Sequence, residues 1–211
     1  MKKNTKISVI FSLFMGISNL CAQVGIGTIL PTAELEIEGT DTGLPTLELN
    51  PQSAPTGTTT GQLSVIGDKL FMYDGTRQKW LSVETTALQY GYAEACDDQE
   101  LFFGGDIGLD LTTEGLTGAK LPFDGTIVYM TIESSGGLAT KSFEIVVNGT
   151  AVPNDNTDDT LDGRINLTAN TFTRTTYNID FNAGDYIAIK ARNAGAAVND
   201  PTAIIWVKWR E

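Results

Sequence analysis

Carboxylates are the densest reactive groups in this sequence. Pro153 to Gly163 reads PNDNTDDTLDG and brings Asp155, Asp158, Asp159 and Asp162 into one short stretch. Calcium prefers several carboxylate oxygens on a flexible loop, so calcium is the cofactor this stretch could take. The D-x-D-x-D-G spacing of an EF-hand is missing. A solvated loop held open by like charges is therefore the preferred reading. Glu94, Asp97, Asp98 and Glu100 form a second acidic group. A glycosidase needs two carboxyls held about 5 to 10 Å apart in a cleft. Four acids packed so closely in sequence are read more simply as a surface turn.

The chain has no histidine. That removes the Ser–His–Asp triad, histidine-ligated zinc and the commonest general base. The expectation is a protein that is not an enzyme. Three tryptophans, Trp80, Trp206 and Trp209, are the candidate ligand-binding residues, as flat platforms for a sugar ring. Cross-strand packing is the plainer role for Trp80, which follows a tight turn together with Tyr73.

Charge narrows the partners. The chain has 14 basic and 26 acidic residues, a net of −12. Lys2, Lys3 and Lys6 precede an apolar run, Ile7 to Ile17, and small residues lead to Ala22. This is a secretory signal peptide over residues 1–22. Its removal takes three positive charges and leaves a net of −15. Such a chain repels phosphate backbones, so nucleic acid is not an expected partner. No later apolar run is long enough to cross a bilayer as a helix. Leu20 is too bulky for the residue before a lipidated cysteine, which argues against an anchor on Cys21. Cys96 is then the only cysteine left, either buried and inert or paired between chains, and burial is favoured.

Around these groups the sequence predicts strands and no helix. Residues 23–60 read as an extended N-terminal segment and linker: a short, closely packed strand in Gln23 to Ile37, a short β-hairpin or stalk interrupted at Pro31, then a linker broken by Pro45, Pro51 and Pro55 with one short strand at Leu47 to Leu49. Residues 61–87 read as a β-meander with turns at Gly67-Asp68 and Asp74-Gly75. It is too small to bury its apolar face alone and needs a neighbour, the simplest being another copy. Residues 88–211 alternate polar and apolar at strand spacing, with glycine turns between, which predicts a β-sandwich or jelly roll. Its centre is predicted to be a hairpin. Tyr177, Ile179 and Phe181 form one arm, Ile187 and Ile189 the other, and Asn182-Ala183-Gly184-Asp185 the turn. The last strand, Thr202 to Arg210, is apolar on both faces.

Three stretches resemble known families. Val24 to Pro31, V-G-I-G-T-I-L-P just after the signal, is similar to the start of secreted Gram-negative surface proteins and tail-fibre-like proteins. Tyr73-Asp74-Gly75 with Lys79-Trp80 looks like the tryptophan-bearing hairpin that follows that segment in the same proteins. Leu121 to Ile127 (LPFDGTI) and Phe181 to Ile187 (FNAGDYI), with the apolar last strand, resemble the trimeric jelly rolls of the complement and tumour-necrosis-factor type. These resemblances imply export to the medium or the outer surface of a Gram-negative bacterium, and a homotrimer whose stalk carries a jelly-roll head. They imply a structural or adhesive role with a surface glycan or protein as receptor. The alternative is a monomeric carbohydrate-binding sandwich. Asp159-Thr160-Leu161 is also similar to the bacterial O-glycosylation acceptor, which implies Thr160 as the modified residue.

Overall fold

The structure is a computed structural model that describes residues 24–26, 35–39, 43–53, 55–105, 118–152, 165–193 and 195–211. The chain divides into two compact units, Met1–Asn50 and Pro51–Glu211. Among the described residues there is no helix, and the fold is all-β.

In the first unit, β1 (Val24–Ile26) and β2 (Leu35–Ile37) pair in parallel, Val24 opposite Leu35. No strand forms at Leu47 to Leu49. The apolar side chains of this unit lie open: Ile26 is 55%, Leu35 58%, Leu44 70% and Leu47 61% exposed.

The second unit opens with the predicted meander, β3 (Leu63–Ile66), β4 (Lys69–Asp74) and β5 (Lys79–Ser82), all antiparallel. The sandwich follows. Its strands are β6 (Thr86–Gly91), β7 (Ala95–Cys96), β8 (Phe102–Phe103), β9 (Ala119–Lys120), β10 (Gly125–Glu133) and β11 (Gly136–Gly137). They continue as β12 (Ser142–Val147), β13 (Thr150–Ala151), β14 (Ile165–Asn166), β15 (Thr171–Arg174) and β16 (Ile179–Phe181). The chain closes with β17 (Tyr186–Ala191), β18 (Val198–Asn199) and β19 (Thr202–Trp209).

One sheet runs β15-β10-β19-β6-β8, with β16 also on β10. The other runs β13-β12-β17-β9, with β14 also on β12. The chain passes between the two sheets repeatedly, and its first and last sandwich strands, β6 and β19, lie side by side. That order is a jelly roll, as predicted from strand spacing. The apolar faces of the two sheets make one core. Ile127, Met130, Ile132, Ile205 and Val207 face Phe143, Ile145, Ile187 and Ile189, all fully buried or nearly so. Tyr90 ties the layers by donating its hydroxyl to the Ile187 carbonyl at 2.9 Å.

The expected central hairpin is corrected. Its first arm, β16, pairs with β10 in one sheet, and its second, β17, pairs with β12 and β9 in the other. Asn182 to Asp185 is thus a corner between layers. Alternation shows that each arm is half-buried and does not name its partner. Both arms point Ile179, Phe181, Ile187 and Ile189 into the same core from opposite sides.

A bulge interrupts β10, where the register against β19 shifts between Ile127 and Tyr129. Bulges re-aim the residues that follow them. Here Ile127 and Val128 are both buried, Met130 and Ile132 then face the core, and Tyr129 faces out. Gly125, at the start of β10, leaves room for Phe181: a Cβ there would lie 2.3 Å from its ring.

The meander finds its neighbour within its own chain. Leu81 bridges to Arg210 beyond β19, and Ser82 Oγ accepts the Trp209 N–H at 2.9 Å. Arg77 Nε donates to the Tyr177 carbonyl at 2.7 Å, and its Nη2 donates to the Val128 carbonyl at 3.3 Å. Phe71, Trp80 and Leu81 are buried. The neighbour that the meander needs is thus supplied on one side by its own chain, while Leu63 and Leu70 stay exposed.

Candidate functional site

The outer face of the six-stranded sheet is built by alternation. Along β19, Ala203, Ile205 and Val207 face the core, so Ile204, Trp206 and Lys208 face out. Along β10, the bulge sets Tyr129, Thr131 and Glu133 outward. Cross-strand pairing lines these into rows. Trp206 lies between Tyr129 and Ala87, and Ile204 lies between Thr131 and Gln89. Thr173 extends the second row on β15. Tyr129 is 39% exposed and Trp206 is half-buried. Neither of these two rows carries a charged side chain among the described residues; Glu133 stands beyond one end of them, and Lys208 and Asp180 beyond the other. Two uncharged middle rows with two large aromatics have the composition of an interface core.

The other end of that face is closed by polar contacts to the meander. Asp180 accepts from Thr126 Oγ1 at 2.7 Å, from Lys79 Nζ at 2.6 Å and from Arg210 Nη1 at 3.3 Å. Beside this cluster lies an open cleft of about 430 Å³ lined by Pro55, Gly57, Tyr73, Gln78, Lys79, Trp80, Arg210 and Glu211.

The three predicted tryptophans do not gather. Trp80, on β5, is buried, with its ring meeting Tyr73 edge to face at 5.4 Å. Its indole N–H donates to the Pro55 carbonyl at 2.7 Å. Trp209 packs edge to face against Phe123 and Phe181 at 5.7 and 6.5 Å. The Lys69 ammonium sits 3.7 Å above the Phe123 ring beside it. Trp206 alone of the three lies on the outer sheet face. Its exposed partner Tyr129 was not singled out from the sequence as a candidate, although alternation against Met130 and Ile132 already sets it on the opposite face; what the bulge adds is Ile127 in the core.

The predicted metal ligands Asp155, Asp158, Asp159 and Asp162, and Thr160, lie outside the described residues. Among the described residues no group of three or more acidic or cysteine side chains is placed to hold a metal ion. The second acidic group is dispersed among separate partners. Asp97 pairs with Lys141, Asp98 with Lys190 at 3.0 Å, and Glu100 accepts from the Tyr186 hydroxyl at 2.6 Å. Glu94 contributes its backbone N–H to the Asp200 carboxylate at 2.7 Å.

Cys96 is fully buried and free, as favoured from the sequence. Burial pushes its thiol up to about 12, against the opposing pull of Lys141. No family model matches the chain, and no curated protein sequence matches it.

Proposed function

We propose that this chain is a secreted or surface-associated structural or adhesive protein that assembles as a homotrimer and displays its sandwich as a head. The observation that carries the reading is the open outer face with Tyr129, Trp206 and Ile204. Copies of a chain that carries a net charge of −15 once its signal peptide is removed repel one another over most of their surface. A face without charge in its middle is where that repulsion is least and where aromatic burial gains most. The exposed leucines and isoleucine of the first unit are a second reason for self-association. Export to the outer surface of a Gram-negative bacterium follows from the signal peptide and the V-G-I-G-T segment. The mechanism is multivalent display: three weak receptor contacts on one body gain avidity from effective concentration.

The same Tyr129–Trp206 pair supports a second reading, a monomeric carbohydrate-binding module that stacks a sugar on the open face. Native mass spectrometry of the chain from Gln23 onward separates the two. A species of three chain masses, reduced to one by Trp206→Lys with Tyr129→Lys, supports the trimer. A monomer whose tryptophan emission shifts on adding glycans, and does not shift in that variant, supports the second. A monomer silent to a glycan panel defeats both.

A further inference from the structure

The stretch before the meander, expected to be linker, is held at several points. Trp80 Nε1–H donates to the Pro55 carbonyl at 2.7 Å. Gly57 passes so close to Tyr73 that a Cβ on it would lie 1.9 Å from the ring. Farther along, the Gln62 side-chain oxygen accepts from the Thr58 and Thr59 N–H groups at 2.8 and 3.1 Å, and Thr60 Oγ1 accepts from Gly75 N at 2.8 Å. An extended proline-bearing segment therefore lies across a paired tyrosine and tryptophan, with the indole donor on a proline carbonyl. Extended proline segments suit such grooves because proline fixes the backbone in advance, so little conformational entropy is lost on docking. Pro55 and Gly57 form one wall of the open cleft whose lining also includes Lys79 and Arg210, so space is left beside the docked stretch.

We infer that the Tyr73–Trp80 groove is a recognition site for an extended, proline-containing peptide, filled in cis by Pro55 to Gly57 and able to take the same segment from a second copy of this chain. The chain carries its own ligand in the stretch that leads into the meander. Exchange of that ligand would link copies through the linker, whatever role the sheet face has.

A labelled peptide of this chain's residues 51–60 tests the site by fluorescence anisotropy against the full mature chain. The receiving variant is Pro55→Ser with Gly57→Ala, which weakens the cis segment. It is expected to bind the peptide at least about tenfold tighter than the wild-type chain, whose tethered segment competes at a high effective concentration. Adding Trp80→Phe, which deletes the donor and keeps a ring, should abolish saturable binding. No binding to a receiving variant with native near-ultraviolet circular dichroism overturns the inference, as does binding that Trp80→Phe leaves unchanged. A second measurement needs no variant. Saturating peptide should speed amide exchange at Thr58 and Thr59 in the wild-type chain, and unchanged exchange there overturns the exchangeable groove. Because none of these readouts is an oligomeric mass, a failure here is distinct from a failure of the trimer.

Discussion

The ammonium of Lys141, none of whose side chain reaches solvent, is held by the carboxylate of Asp97 and by the Ala196 carbonyl at 3.2 Å. Lys141 stands just before β12 and Asp97 just after β7, so the pair fastens two strands far apart in sequence. Removing one partner of a buried pair strands the other charge, which costs far more than the pair itself contributes. Asp97 is 37% open, and water there softens the penalty. Asp97→Asn should cost about 2 to 4 kcal/mol by urea denaturation. Asp97→Asn with Lys141→Met should recover most of it. A double variant as unstable as the single one would mean that the geometry, and not the stranded charge, carries the cost.

Asp74 predicts a particular acid response. Burial alone would raise its carboxyl, but hydrogen bonds from the Arg77 guanidinium and from the Arg77 and Thr76 N–H groups outweigh burial and hold it below its ordinary value. A depressed folded value means that the stabilisation is complete above the unfolded value, about 3.9, and is lost as pH falls through the folded one. The wild-type chain should therefore lose stability more steeply below about pH 4 than Asp74→Asn does. Urea midpoints across that range check it, and parallel curves would remove Asp74 from the response.

Much of the fold was legible because periodicity reports burial directly. Gly125 to Glu133, the meander strands and the last strand all appear close to where alternation placed them. Partnership was not legible. The two arms around Asn182 to Asp185 read as one hairpin because each alternates, yet they feed opposite sheets, and nothing local distinguishes a corner from a turn. The meander's cover was missed for a similar reason. Arg77 and Lys79 look like surface charges until the chain returns about a hundred residues later with the Tyr177 carbonyl and Asp180. Lys141 gave no sign of burial, since its counter-ion lies on a distant strand. At the candidate site, Trp206 was legible from the two-sided last strand. The outward face of Tyr129 was legible too, by alternation against Met130 and Ile132, but its pairing with Trp206 was not, because alternation does not name a partner strand.

Cys96 should be chemically silent while the chain is folded. The thiolate is the reactive form, and a thiol pushed up to about 12 supplies almost none of it at neutral pH. Its side chain is also fully enclosed. Iodoacetamide at about pH 8 should leave the native chain unmodified and label it completely in urea, read by intact mass. Labelling of the native chain at the rate of a free thiol would show that β7 opens readily from β18.

Tyr177 is the opposite kind of buried group, one whose polar atom finds no partner. It is fully enclosed, its hydroxyl makes no hydrogen bond, and burial raises its ionisation well above the usual tyrosine value. Its ring stays useful, since it fills the core beneath Arg174, whose guanidinium lies 5.2 Å from the ring centroid. Its backbone carbonyl also receives Arg77. An unsatisfied buried hydroxyl costs about 1 to 3 kcal/mol, and a change that keeps the ring removes that cost alone. Tyr177→Phe should therefore be neutral or raise stability by about 1 kcal/mol, whereas Tyr177→Ala should lose about 3 to 5 kcal/mol through the cavity it leaves. Thermal and urea unfolding of both variants check this. A clear loss in Tyr177→Phe would mean that the hydroxyl has a bound water or another partner inside the core.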